Sequence, residues 1–226
     1  MVRRASVTHP HADAVSTLAA ADAKLGVLIA RVGLCGLMRR PAETPFETLL
    51  EAIVHQQLTG KAAGEILARV KALFRGGATT AARLDSLPDE DLRAAGLSRG
   101  KVSSLKALAS RSLTGEIPQF AVLESLEDDA IVERLTTVRG VGRWTVEMLL
   151  IFRLGRLDVL PATDYGVRKG FAVTFPRRGA SRRRTAETAI QLPSAAEVLA
   201  RGERWRPYRS IAAWYLWRAL DRKGEA

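Results

Sequence analysis

The sequence predicts an all-α protein. Apolar residues recur at helical spacing in one segment after another, no stretch alternates with period two over a useful length, and no unit of about 20–50 residues repeats. A chain of 226 residues, 47% apolar and 26% charged, is long enough to bury a sizeable core and has the composition of an ordinary globular protein.

From the N-terminus, Leu25 to Leu37 is the most apolar early stretch; it contains Arg31 and is too short to span a bilayer, so it reads as a core helix. From Phe46, the residues Leu49, Leu50, Ile53, Val54 and Leu58 mark one helix face. Thr59-Gly60 interrupts that face, and Thr59 offers an N-cap for a second helix through Ile66, Leu67, Val70 and Phe74, which Gly76-Gly77 ends. Pro88 opens an acidic first turn of Asp89, Glu90 and Asp91, and Gly96 suits the position just past a helix end. Further helices fit 101–112, 126–135, 144–154, 165–173 and 210–220.

A formal charge of +11 points to a polyanionic partner. The excess is uneven: residues 46–163 hold 15 basic and 15 acidic groups, whereas residues 164–226 hold 14 and 6, with five arginines in Arg177–Arg184. That run reads as a solvated basic loop or as a polyanion contact. The single cysteine, Cys35, excludes an internal disulfide and any zinc or iron–sulfur site built on several thiolates. It fits a reducing, cytoplasmic location.

Between two helical patterns lies Leu135-Thr-Thr-Val-Arg-Gly-Val-Gly-Arg-Trp-Thr-Val-Glu-Met-Leu-Leu150. Its Gly140-Val-Gly142 turn admits two readings. It can be a tight turn between packed helices, or a place where the missing Cβ lets a phosphate approach backbone N–H groups at a helix N-terminus. The surrounding residues resemble the helix-hairpin-helix of the base-excision glycosylase superfamily, over about 129–154, with Arg139 in place of the usual proline. Twenty residues after Trp144, at the start of another helical pattern, Asp164 matches the superfamily's essential aspartate. Read alone, Asp164 is an N-cap; read with the hairpin, it is the catalytic carboxylate, and one side chain can do both.

The place where lyase members carry a lysine nucleophile holds Trp144, which implies a monofunctional enzyme. Ile53-Val-His-Gln-Gln-Leu-Thr59, Leu97-Ser-Arg-Gly-Lys101 and Glu203-Arg-Trp-Arg-Pro-Tyr-Arg-Ser-Ile-Ala-Ala-Trp-Tyr-Leu-Trp217 extend the resemblance to the alkylbase branch, DNA-3-methyladenine glycosylase II. The resemblance implies two helical subdomains, 46–163 as a central bundle and 1–45 with 164–226 as a terminal one, and an active-site cleft between them. It implies a base pocket of Trp144, Met148, Tyr165 and Trp217, where ring faces attract a cationic alkylated base. Trp205 and Trp214 are expected in the core instead. DNA contacts fall on His55, Gln57, Leu58, Arg139, Gly140, Gly142, Arg143 and Thr145, with Gln57 and Leu58 filling the gap left by the flipped nucleotide. Carbonyls of Thr136, Val138 and Val141 would hold Na⁺ or K⁺, with no redox or organic cofactor required. The implied activity is hydrolytic removal of alkylated bases from duplex DNA by a monomer. The rivals are a glycosylase for oxidised or mismatched bases and a non-catalytic helix-hairpin-helix binding module.

Overall fold

The computed structural model describes residues 10–40, 44–58, 60–176 and 191–221, and every regular element among them is a helix. The all-α expectation holds. Two expectations, the Thr59 cap and the Arg177–Arg184 run, lie outside the described residues.

The chain forms two compact units, one drawn from Met1–Met38 and Gly155–Ala226, the other from Arg39–Leu154. The sequence-based boundaries at 45/46 and 163/164 thus move to 38/39 and 154/155, for reasons visible in the hydrogen bonding. The Arg40 amide donates to the Phe152 carbonyl, tying residue 40 to the middle unit. The stretch after Gly155 is tied to the last helix of its own unit instead: the Ser210 amide donates to Leu157 O, and the Val159 amide donates to Ser210 Oγ at 2.9 Å.

The terminal unit opens with α1 (Ala12–Ala21) and α2 (Ala23–Val32). Asp22 separates them and caps α2 by accepting the Lys24 and Leu25 amides. The helix expected across 25–37 stops at Val32, because Gly33 takes φ +88° and residues 33–40 are not helical.

The middle unit carries α3 (Pro45–His55), α4 (Gly60–Ala72), α5 (Ala81–Ser86), α6 (Asp89–Ala94), α7 (Arg99–Leu113), α8 (Phe120–Glu124), α9 (Asp128–Thr136) and α10 (Arg143–Phe152). Thr44 caps α3 by accepting the Glu47 amide, and Pro45 occupies the first helical position, where no N–H is needed. α7 packs on both α3 and α5. Its Leu105 and Leu108 are fully buried, each contributing roughly 1.5–3 kcal/mol of apolar transfer. Gly96, at φ +105°, lies just past the end of α6 as expected.

The terminal unit closes with α11 (Tyr165–Thr174), α12 (Ala195–Gly202) and α13 (Arg209–Arg218). α11 and α13 pack so closely at Gly170 that an added Cβ would overlap the Leu216 carbonyl. In the same unit, buried Asp22 accepts two bonds from the Arg201 guanidinium at 2.8 Å each and one from the Trp205 indole at 3.2 Å. Burial alone would raise the Asp22 pKa, but the Arg201 and Trp205 hydrogen bonds, the Arg201 charge and the Leu25 amide together hold it below the usual carboxylate range.

Candidate active site and nucleic-acid interface

The segment between α9 and α10 is a hairpin whose two glycines do different things. Gly140 sits at φ +82°, and a Cβ there would run into the Ser104 side chain of α7. Gly142 is the N-cap of α10 at an ordinary extended φ of −94°, and nothing lies within 4 Å of a Cβ built on it. Gly140 therefore serves the turn and its close packing, whereas Gly142 leaves the helix N-terminus open to an approaching group. The first-turn amides of α10 have no intrahelical acceptor, which suits an anion.

Arg139 is exposed beside this opening. Arg143 is exposed too, but its guanidinium lies 3.5 Å from Asp129 and 3.1 Å from Glu147, so a phosphate would have to share or displace those carboxylates. Thr145, expected at the DNA, is turned inward and 3% exposed, because its hydroxyl lies in the packed first turn 3.5 Å from Gln56 Nε2. It nonetheless lines the groove formed by the hairpin and the α3 turn.

Beside the hairpin, α3 ends at His55 and the chain turns through Gln56, Gln57 and Leu58. Leu58 does not continue the helix face; it is 39% exposed. Two donors account for the break. Lys101 Nζ donates to the Val54 and Gln56 carbonyls at 2.7 and 2.8 Å, and Gln56 Nε2 donates to the Gly140 carbonyl at 2.8 Å. Burial pushes the Lys101 ammonium pKa down. Gln57 is left exposed at φ +57°, a left-handed conformation uncommon for a side chain of this kind. His55 is exposed, its Nδ1 2.8 Å from the Glu51 carbonyl. This turn and the hairpin line one groove of about 800 Å³, which also includes Trp144.

Thr136, Val138 and Val141 line the same groove. The Val138 carbonyl already accepts the Val141 amide at 3.0 Å. A carbonyl has a second lone pair, and neutral oxygens suit a hard monovalent cation; among the described residues no His, Cys, Asp and Glu cluster could hold a metal.

Asp164 is the N-cap of α11. Its Oδ1 accepts the Val167 amide at 2.7 Å and the Trp217 indole N–H at 2.8 Å. The carboxylate is half-buried, so it is fixed in orientation without being enclosed by core. Gly166 makes room for this pair: a Cβ there would stand 2.8 Å from Trp217 Cδ1 and 3.1 Å from Asp164 Oδ1. Tyr165 is 64% exposed, with the Lys169 ammonium 5.7 Å from its ring centroid.

The remaining pocket candidates belong to the middle unit. Trp144 is 40% exposed in the first turn of α10, and half-buried Met148 lies one turn later on the same face. Of the two tryptophans expected in the core, Trp205 is fully buried. Trp214 departs from that expectation: it is half-buried, with its ring against Gly36 and the Arg218 guanidinium 5.7 Å from its centroid. Sequence reasoning assigned no role to Gln56 or Lys101, although both lie inside the motifs that carry the family resemblance.

The profile of the HhH-GPD superfamily of base excision DNA repair proteins matches residues 50–193, a span that holds the α3 turn, the hairpin and Asp164. The chain belongs to that superfamily. It is 39% identical over 175 residues to DNA-3-methyladenine glycosylase 1 of Schizosaccharomyces pombe, covering 77% of this chain and 72% of the relative. It is 32% identical over 212 residues to the alkylbase DNA glycosidase-like protein mag2 of the same yeast, covering 92% and 94%. The solved structure of the S. pombe 3-methyladenine DNA glycosylase Mag1 in complex with abasic DNA matches with a TM-score of 0.76 at 36% identity, covering 91% of this chain and 95% of that one. Within the superfamily, the alkylbase resemblance read from the motifs is thereby shown.

Proposed function

We infer that this protein is a monofunctional DNA glycosylase that removes alkylated bases of the 3-methyladenine and 7-methylguanine type from duplex DNA. The observation that carries the reading is Asp164, held by Val167 and Trp217 at a helix N-terminus in a superfamily of base excision repair proteins. The relatives' names and the abasic DNA bound to Mag1 support DNA as the partner and alkylated bases as the substrates.

In this reading the C1′–N bond breaks with its electron pair leaving on the base. Because an alkylated purine is cationic, it departs neutral. The developing positive charge on the sugar is stabilised by the Asp164 carboxylate, whose angle toward the sugar is set by its two Oδ1 bonds. A water then adds at C1′ and gives up a proton, which Asp164 can accept, leaving an abasic site. The hairpin grips the strand through the open α10 N-terminus and Arg139. Gln57 and Leu58, exposed beside it, enter the gap left by the extruded nucleotide. Trp144 and Met148 offer apolar surface to the cationic base, each ring contact worth roughly 0.5–2 kcal/mol. When bound, a monovalent cation on the Thr136, Val138 and Val141 carbonyls would add positive field at the gripped phosphate. One lesion per enzyme suits a monomer, and chromosomal DNA as substrate suits a cytoplasmic protein associated with the nucleoid if the source is bacterial.

The test compares the wild type with Asp164→Asn on duplexes carrying 3-methyladenine, 7-methylguanine or 8-oxoguanine. Asparagine caps a helix about as well as aspartate, so folding and DNA binding should persist while excision falls by on the order of 100–1,000-fold. Full activity in the variant refutes the role of Asp164. Release of 8-oxoguanine alone by the wild type favours an oxidised-base enzyme, and release of nothing favours a binding module.

A further inference from the structure

The face of α7 made by Lys101 and Ser104 touches two things at once. Lys101 reaches the end of α3, where its ammonium donates to the carbonyls of Val54 and Gln56. These are groups that a helix C-terminus leaves without amide partners, and the helix dipole favours a cation there. One turn on, the Ser104 side chain fills the space that a Cβ on Gly140 would need. Gln56 closes the triangle by donating its side-chain amide to the Gly140 carbonyl at 2.8 Å. The next residue, Gln57, is exposed in a left-handed conformation that a non-glycine residue keeps only when its surroundings hold it.

We propose that Lys101 and Gln56 are positioning residues that set the offset between the strand-gripping hairpin and Gln57, so that the plug enters beside the nucleotide being extruded. The proposal rests on the glycosylase reading. Its physical content is a division of labour. Affinity for unmodified DNA comes from phosphates held by the hairpin, and that hold is indifferent to where Gln57 points. Extrusion needs the plug at a fixed distance from the held phosphate. Loss of the Lys101 bonds releases two carbonyls, and the turn carrying Gln57 then drifts.

The experiment uses the full chain with Lys101→Met, Lys101→Arg and Gln56→Met, each assayed well below its own melting temperature. Three quantities are read: single-turnover release of 7-methylguanine, affinity for an unmodified duplex, and the fluorescence rise of a 2-aminopurine placed beside a tetrahydrofuran abasic analogue. The methionine variants should slow release by on the order of 10–100-fold, the scale of a small misplacement. They should also diminish the fluorescence rise, yet bind unmodified duplex as the wild type does. Lys101→Arg, which keeps a cation with several donors, should recover most of both signals. Wild-type release and fluorescence in a folded methionine variant overturn the proposal. So does a loss of duplex affinity equal to the loss of release, since the residues would then only support the hairpin. Should Lys101→Met fail to fold, Gln56→Met, at a half-buried loop position, decides. A wild-type protein that releases no alkylated base would sink the glycosylase reading and this proposal with it, whereas folded variants that match an active wild type would overturn this proposal alone.

Discussion

Replacing Gly142 with alanine separates the two readings of the glycine turn. Its φ of −94° and ψ of 168° are values any residue adopts, and no atom lies within 4 Å of the added methyl. Two small effects on folding oppose each other. Alanine narrows the unfolded ensemble, stabilising by about 0.4–1 kcal/mol, but it caps a helix less well than glycine by a similar amount. The net change should lie within about 0.5 kcal/mol, a shift of no more than about 2 °C in Tm for a chain of this length. DNA binding should respond differently. A methyl at the mouth of the α10 N-terminus displaces a phosphate oxygen from a backbone N–H, and one charge-assisted hydrogen bond is worth about 1.5–3 kcal/mol, or roughly tenfold and upwards in affinity. The assay is fluorescence anisotropy on an unmodified duplex at fixed salt, alongside thermal melting. Gly140→Ala is the contrast: φ +82° and the Ser104 Cβ at 2.7 Å predict a destabilisation of about 2–4 kcal/mol and a Tm lower by roughly 5–15 °C. A Gly142→Ala protein that melts and binds like the wild type would show that no phosphate meets the backbone there.

Two further predictions test the terminal unit. Gly166→Ala, normally favourable inside a helix, should instead lower excision at unchanged duplex affinity, because its methyl would press on Trp217 Cδ1 and Asp164 Oδ1; an active variant in a steady-state assay would mean the Trp217–Asp164 bond does not orient the carboxylate. For Asp22, a pKa below the unfolded value means that its contribution is complete above about pH 4 and disappears as pH falls through the depressed folded value. Asp22→Asn should therefore cost roughly 2–3 kcal/mol at pH 7 and less below pH 4 in urea unfolding, and a pH-independent difference would refute the linkage.

How much of the fold was legible in the sequence depends on the range of each physical signal. α7, α9, α10, α11 and α13 were legible because each runs for 9 to 15 residues with apolar residues at helical spacing; for α9, Ile131, Val132 and Leu135 fall on one face. α5 and α8, at 6 and 5 residues, are too short for periodicity to register. α12 could have been found: Ser194 and Glu197 form a capping box, a pattern readable from four residues. Leu58 misled because it continues the α3 spacing, while the interruption comes from a lysine more than forty residues away in sequence. Tertiary hydrogen bonds of that kind leave no local trace. Among the candidate site residues, the capping position of Asp164 and the turn at Gly140 were legible because each is tied to backbone position. The inward turn of Thr145 and the left-handed Gln57 were not, because packing around them decides both.

The bland and the functional readings of Asp164 and of the hairpin converge for a physical reason. A catalytic carboxylate needs a fixed direction, and an N-cap supplies it at the start of a helix, where the Val167 amide and the Trp217 indole both reach Oδ1. A phosphate grip needs unsatisfied amides and bare backbone, and a tight turn into a helix supplies both at Gly142 while Gly140 absorbs the strain. In each case the folding role places the group, and the proposed chemistry uses what the fold leaves exposed. Substitutions that preserve the cap or the turn while changing charge or steric access, Asp164→Asn and Gly142→Ala, are for that reason the ones able to tell function from folding.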